Sequence, residues 1–449
     1  PEGDRDRARR LDEVRRLLYT TQANLPEHVE VSIPAGYEGP QVRFQGSVYA
    51  EILTNIFYHN LNDAQHKVDE RGMYHTSTPG SSDFGSYQGF GTYREGGGTF
   101  SNQVWARDLG RALQELVAFG SMDEAKRCVD FCLDQARLWA DTSNEKLKIN
   151  GRSIPPHWCR NITDPNTIET LGCWENDGHG LIMLFVYNTW RRLPEQEQAE
   201  WLRARWEDIK MAGDWIEWQF QNPDLSRATN VLFSDSECAF GYGNVTPGYS
   251  VFADSACREG LLGFSDMAES IGEEATARAW RVRAAKMKDG IESYYIYRGS
   301  DRYPPVWRID DAGWAYQSGL LGPLMHLADR RGLAPEDDDP LWRQLNERAF
   351  DRLIAKWSGM AGNSNDPWWF DNSEEPPFRD TPDQQFTPVG SYGIAMGYGQ
   401  GFVTQAALLL DRMDLARVCL EWLAREVYYA DHEPYLVPEG VEVNPTGDY

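Results

Sequence analysis

Four segments of this 449-residue chain set charged side chains beside aromatic ones, the combination from which a site for a hydroxyl-rich ligand can be built. In Trp105-Ala106-Arg107-Asp108-Leu109-Gly110 a guanidinium and a carboxylate are adjacent, so they can hydrogen-bond neighbouring hydroxyls while the indole covers an apolar ring face. A surface ion pair is the plainer account of the same residues. Cys173-Trp174-Glu175-Asn176-Asp177-Gly178-His179-Gly180 opens the apolar stretch 181–190. Asn176 and Asp177 suit helix caps, yet a tryptophan and several polar groups in one turn exceed what a cap requires; His179 by itself reads as a structural histidine. Phe233-Ser234-Asp235-Ser236-Glu237-Cys238-Ala239-Phe240-Gly241-Tyr242-Gly243 holds a glutamate among aromatics and glycines. A carboxyl in apolar company keeps its proton to higher pH, which suits Glu237 to general-acid work, although an exposed loop acid explains the segment as well. In Trp307-Arg308-Ile309-Asp310-Asp311-Ala312-Gly313-Trp314, a ligand contact through Arg308 and Trp314 competes with a simple helix cap and ion pair.

Composition narrows the partners. Lys and Arg number 44 against 69 Asp and Glu, a formal charge of −25, which opposes binding to nucleic acid or to an anionic membrane surface. No apolar run approaches the ~20 residues of a membrane span. The 17 Trp, 21 Tyr and 18 Phe suit stacking against flat amphipathic ligands such as sugar rings, or the filling of wide helical cores. Seven cysteines make neither a disulfide framework nor a zinc spacing. Cys128 and Cys132, four apart on one helix, read as packing, and Cys159 and Cys173 flank a loop that a bridge could close. No charged-then-apolar leader opens the chain at Pro1, so a signal peptide is expected to be absent or removed. Asn161-Ile162-Thr163 fits a glycosylation acceptor without establishing export, so secreted and cytoplasmic locations both stand, and the oligomeric state is left open.

The elements that must carry these segments are helical. Apolar periodicity predicts helices near 5–22, 47–62, 102–119, 122–141, 177–193, 196–220, 248–271, 273–296, 312–331, 340–357, 391–412 and 413–428. Gly120 and Gly272 stand where two of them should end, with acids opening the next. Gln41–Val48 is the best strand candidate. Short joints alternate with long connections at 63–100, 142–175, 221–247, 297–311, 358–389 and 429–449. Connections beyond ~12–15 residues in a compact domain are usually functional. About twelve helices so joined predict an all-α, single-domain (α/α)6 toroid over residues 1–449, its long loops crowding one face into a pocket, with the N-terminal helix and short strands within 1–46.

The order of the four segments resembles glycoside hydrolase family 15, the glucoamylase-like enzymes. Its Trp-x-Arg-Asp element is similar to Trp105–Asp108, followed by Val117–Ala125; its Asn-Asp-Gly element to Asn176-Asp177-Gly178; its acid to Glu237; and its Arg with following acid to Arg308 with Asp310 and Asp311. The Pro-Glu element that carries the base resembles Pro438-Glu439. The family's acid usually lies in Trp-Glu-Glu, whereas Glu237 lies in Ser-Glu-Cys. The family's closing helix is not found after Glu439, so the helix at 5–22 closes the ring or the protein continues.

The resemblance implies an inverting exo-hydrolase of oligosaccharide or polysaccharide without metal or organic cofactor. Glu237 is then the acid and Glu439 the base; Arg107, Asp108, Asp177 and Arg308 hold the terminal sugar between Trp105, Trp174 and Trp314. The same barrel also hosts lyases and epimerases. A polysaccharide lyase would draw on Tyr93-Arg94, His179 and Arg308, and a non-catalytic sugar-binding protein would need only the aromatics.

Overall fold

Among the described residues, helix α1 (Val48–His66) is followed by five helix pairs. These are α2 (Ala106–Phe119) with α3 (Met122–Thr142), α4 (Asn176–Arg192) with α5 (Glu195–Phe220) and α6 (Val251–Ser270) with α7 (Glu274–Tyr295). The last two are α8 (Gly322–Arg331) with α9 (Pro340–Met360) and α10 (Gly397–Leu409) with α11 (Met413–Tyr429). The structure is a computed structural model that describes residues 25–74, 104, 106–142, 148–149, 152–153, 155–159, 176–221, 230–234, 248–297, 306–307, 321–332, 339–360, 393–429, 435–437 and 440–443. The helix expected at 5–22 lies outside them.

The tight joints follow from local chemistry. Gly120 and Gly272 both take φ +87°, a left-handed conformation that costs other residues about 1–2 kcal/mol. The amide after each glycine then reaches back into its helix, Ser121 N–H to Leu116 O at 2.8 Å and Glu273 N–H to Ala268 O at 2.9 Å. That bond satisfies a carbonyl left open at the helix end. The chain reverses there, and partner helices run antiparallel.

Two layers result. In the inner layer α2, α4 and α6 lie side by side and parallel: Ala106 meets Gly178, Gly110 meets Leu181, Ala256 meets Gly180, and Met183 meets Gly260. Helix α8 continues the layer, with Phe252 edge-on to His326 at 4.6 Å, and Asp329 of α8 reaches Gln405 of α10 at 3.3 Å. The outer layer is stitched by charge. Arg137 of α3 binds Asp208 of α5 at 2.6 and 2.9 Å, Arg283 of α7 binds Glu217 of α5 at 2.6 and 2.9 Å, and Lys288 of α7 pairs with Asp339 at the start of α9. Residues 176–186 of α4 are buried without interruption, as an inner helix requires, whereas α5 exposes a polar face. The all-α toroid expected from the pattern of long and short joints is therefore present. Among the described residues Trp158, Trp190, Trp201, Trp206, Trp215, Trp280 and Trp342 are buried, so much of the aromatic excess fills the core. Cys128 and Cys132 are core residues, as expected.

Three local expectations are corrected. Residues 41–45 form no strand: the extended chain bonds to side chains of α1, Val42 N–H to Tyr58 Oη at 2.9 Å and Phe44 N–H to Thr54 Oγ1 at 3.1 Å. Those side chains do the work a neighbouring strand would do. After the short pair β1 (Lys148–Ile149) and β2 (Arg152–Ser153) and strand β3 (Phe233–Ser234), Gly248–Tyr249 and Gly393–Met396, read as the starts of helices, are instead strands β4 and β7. Each pairs with a segment distant in sequence, an interaction that helical periodicity cannot register.

Gly180 tests the inner packing. A methyl there would press on the backbone of Ala256 and Cys257, forcing α4 and α6 apart at a cost of about 1–3 kcal/mol or more. That exceeds the roughly 1 kcal/mol that alanine gains in helix propensity. Gly180→Ala should therefore lower the denaturant midpoint, and an unchanged or raised midpoint would show that the two helices are not in close contact.

Candidate active site

Because the inner helices are parallel, their N-termini collect at one end of the toroid, where the long connections also join. Arg107, in the first turn of α2, points across to Asp177 in the first turn of α4. Its Nε and Nη2 engage the two carboxylate oxygens, the second at 3.2 Å. The two side chains are 16% and 7% exposed, so this is a buried, two-point ion pair and not a surface one. Asp177 lies 70 positions from Arg107 in the sequence, so this contact is made only by the fold.

The rest of the Asn-Asp-Gly turn is structural. Gly178 is required because a Cβ would lie 2.8 Å from that of Ala106. Asn176 exchanges two 3.0 Å hydrogen bonds with Gln219 of α5, and Trp215 Nε1 donates to it at 3.3 Å. His179 accepts from Trp158 N–H at 3.1 Å through Nδ1 and donates to Ala212 O at 3.0 Å through Nε2. Burial pushes its pKa down to about 3. Both ring nitrogens are engaged, and the histidine is the structural one its sequence suggested.

Strand β3 (Phe233–Ser234) pairs antiparallel with β4, Ser234 against Gly248, so the intervening 235–247 departs and returns at one point beside the start of α6. Asp254, in the first turn of α6, anchors that point. Its Oδ1 accepts from Leu232 N–H at 2.8 Å and its Oδ2 from the Tyr295 hydroxyl at 2.6 Å. β5 (Ile296–Tyr297) and β6 (Val306–Trp307) pair likewise just before Arg308. β7 pairs with β8 (Gly440–Val443), setting Gly440 opposite Met396 at the entrance to α10. Asn60 of α1 binds Val437 N–H at 3.0 Å and Tyr435 O at 2.8 Å. The chain on both sides of Glu439 is thus fastened to α1 and to the start of α10. Glu237, Glu439, Trp105, Trp174, Arg308, Trp314, Cys173 and the side chain of Asp108 lie outside the described residues.

Within the ring, Arg111 of α2 binds Asp329 of α8 at 2.7 Å and also Gln405 of α10. Asn188 of α4 joins them through Gln114 at 2.9 Å and the Asp329 carbonyl at 3.0 Å. Arg111 is the leading charge that holds Asp329 down to about 2, despite the opposing cost of burial. Glu259 of α6, wholly buried, is gripped by Arg258 and by Arg330 of α8, the latter at 2.6 Å. Neither this network nor Asp254 carries a sequence motif; a charged residue on an otherwise apolar helix face is the one local signal of either. Among the described residues no cluster of His, Cys, Asp and Glu could hold a metal ion, and no helix is long and apolar enough to cross a membrane.

Two measurements probe this end of the toroid. Asp177→Asn leaves the Arg107 charge buried against a neutral amide, and breaking a buried pair from one side costs about 3–5 kcal/mol. Chemical denaturation should show that loss, and Arg107→Gln in the same background should add little to it. Asp254 supplies a pH dependence. Burial pushes its carboxyl up to about 7, against the two hydrogen bonds that favour the ionised form. An aspartate in the unfolded chain titrates near 4, so the native state holds this proton more tightly. The stabilisation is complete below about pH 4 and disappears as pH rises towards 7. Asp254→Asn cannot ionise, so its Tm relative to the parent should improve between pH 5 and pH 8; a constant difference would refute the shift.

No protein-family model matches the chain, and no curated protein matches it in sequence. Solved structures do match. Two of them, the wild-type form and a Tyr-to-Phe variant of a glycosidase, each share 15% identity with it over 87% of this chain and 86% of their own, with a TM-score of 0.54. At that identity the likeness is one of fold: the chain has the helical toroid seen in these glycosidases.

Proposed function

We propose that this chain is an inverting, exo-acting glycoside hydrolase of the glucoamylase-like kind, acting on an oligosaccharide or polysaccharide with no metal or organic cofactor. Glu237 protonates the glycosidic oxygen. Glu439 takes a proton from a water on the opposite face of the sugar, the two carboxyls standing ~6.5–9.5 Å apart to admit it. Arg107 and Asp177 act as one unit that, with Asp108 and Arg308, holds the terminal sugar, while Trp105, Trp174 and Trp314 wall it.

One observation carries the reading. The described chain flanking these candidates converges on the N-terminal ends of the inner helices: Arg107 and Asp177 open α2 and α4, Ser234 and Gly248 pair beside the start of α6, and Gly440 pairs with Met396 at the start of α10. Four chain segments remote in sequence thereby reach one end of the toroid. The glycosidase-like fold adds support at a coarser level. The lyase reading is weakened, because both nitrogens of His179 are committed to the backbone.

The two carboxyls should fail differently. Glu237→Gln removes proton donation, worth ~10²–10⁴-fold on an unactivated oligosaccharide, and should lose far less on the matching glycosyl fluoride, whose leaving group needs no proton. Glu439→Gln removes water activation and should lose activity on both substrates, with partial recovery in azide, a nucleophile that needs no base. Two variants as active as the parent would sink the assignment and turn attention to Asp235, Glu374, Glu375 and Glu433.

A further inference from the structure

Asp254 has no part in the hydrolytic step as written, yet it holds together three elements at the end of the toroid where that step is assigned. It is wholly buried in the first turn of α6. One oxygen takes the Leu232 amide, immediately before β3, and the other takes the hydroxyl of Tyr295, the last residue of α7. Two further contacts pin the same stretch of chain. Asn230, at φ +61°, lays its carbonyl on Gly290 of α7, where any side chain would collide with it. Ser234 pairs with Gly248 three residues before α6 begins. Burying a carboxyl is costly, and an apolar side chain of similar size would serve the core at least as well. The acid is explained by what it grips: a backbone amide that must be held at one height above α6.

Beyond that amide the chain runs to Glu237. Five residues of extended chain span no more than roughly 17 Å, so the anchor at Leu232 limits where Glu237 can be. General-acid catalysis is sensitive to such placement, since a misplacement of about 1 Å can cost ~10²-fold.

We propose that Asp254 is the positioning residue for the acid Glu237, fixing the root of residues 235–247 against the ends of α6 and α7. The proposal rests on the hydrolytic reading above. Positioning through Glu237 has a signature that general loosening of the fold lacks: it should weaken only the reactions that need a proton donor.

Asp254→Ala and Asp254→Asn, assayed beside Glu237→Gln on an unactivated oligosaccharide and the matching glycosyl fluoride, test this. Asp254→Ala should lower kcat on the oligosaccharide by ~10–10²-fold, with KM little changed, and should lose about tenfold less on the fluoride. Asp254→Asn, which keeps an acceptor for Leu232 N–H, should recover most of the activity. Asp254→Ala added to Glu237→Gln should cost nothing more, because the group being positioned is already gone. Hydrogen exchange at the amides of residues 232–234 should quicken in Asp254→Ala while the remaining helices keep their protection. Equal loss on both substrates, no loss, or full additivity with Glu237→Gln overturns the proposal. Should Asp254→Ala not fold, Tyr295→Phe removes one of the two grips and must show the same leaving-group dependence at smaller size. If Glu237→Gln itself shows no such dependence, the hydrolytic reading falls and this proposal with it. If Glu237→Gln shows it and the Asp254 variants do not, the positioning role alone is lost.

Discussion

The close parallel approach of α2, α4 and α6 is the constraint on which the rest of the molecule depends. Parallel neighbours are electrostatically unfavourable, since their dipoles align, so the contact must be made by packing. Glycines supply it: Gly178, Gly180 and Gly260 let backbones and Cβ atoms meet where a methyl would collide. The same geometry gathers the positive ends of the helices at one end of the toroid. Asp177 stands in one of those first turns, while Arg191, Arg192, Arg330 and Arg331 occupy the last turns of α4 and α8. The alignment that packing imposes is therefore relieved by side chains placed according to sign.

Buried charge then sets how the inner helices are turned relative to one another. The Arg107–Asp177 pair, the Arg111–Asp329–Gln405 group and the grip of Arg258 and Arg330 on Glu259 each join different inner helices. Such groups are poor sources of net stability, because desolvation opposes the Coulomb gain. They are strict about geometry, however, since a rotated helix would leave a charge buried against nothing. Hydrophobic contact closes the core, and these pairs select one arrangement of it. An end of the toroid held in this way can carry long connections without deforming, and it is from such connections that a pocket is built.

Much of the architecture is legible from the sequence. The helices at 122–141, 177–193, 196–220 and 273–296 match α3, α4, α5 and α7 within a few residues, because apolar periodicity reports which face is buried. Gly120 and Gly272 mark joints, since only glycine takes their backbone conformation without cost. The failures share one cause. The strand expected at Gln41–Val48 bonds to Tyr58 and Thr54 instead of another strand, β4 and β7 exist only through partners distant in sequence, and the contact of Arg107 with Asp177 joins residues 70 apart.

By itself, then, the sequence determined the helical class, the alternation of short and long joints, and the residue types available for carbohydrate chemistry. These are properties of adjacent residues, expressed through periodicity, turn conformation and side-chain polarity. Only the tertiary structure decided which acid meets which base, that His179 is spent on Trp158 and Ala212, and that Asp254 holds the root of the segment bearing Glu237. Those pairings depend on which turns of which helices come level across the ring. That alignment arises from the packing of whole helix faces, and no local stretch of chain encodes it.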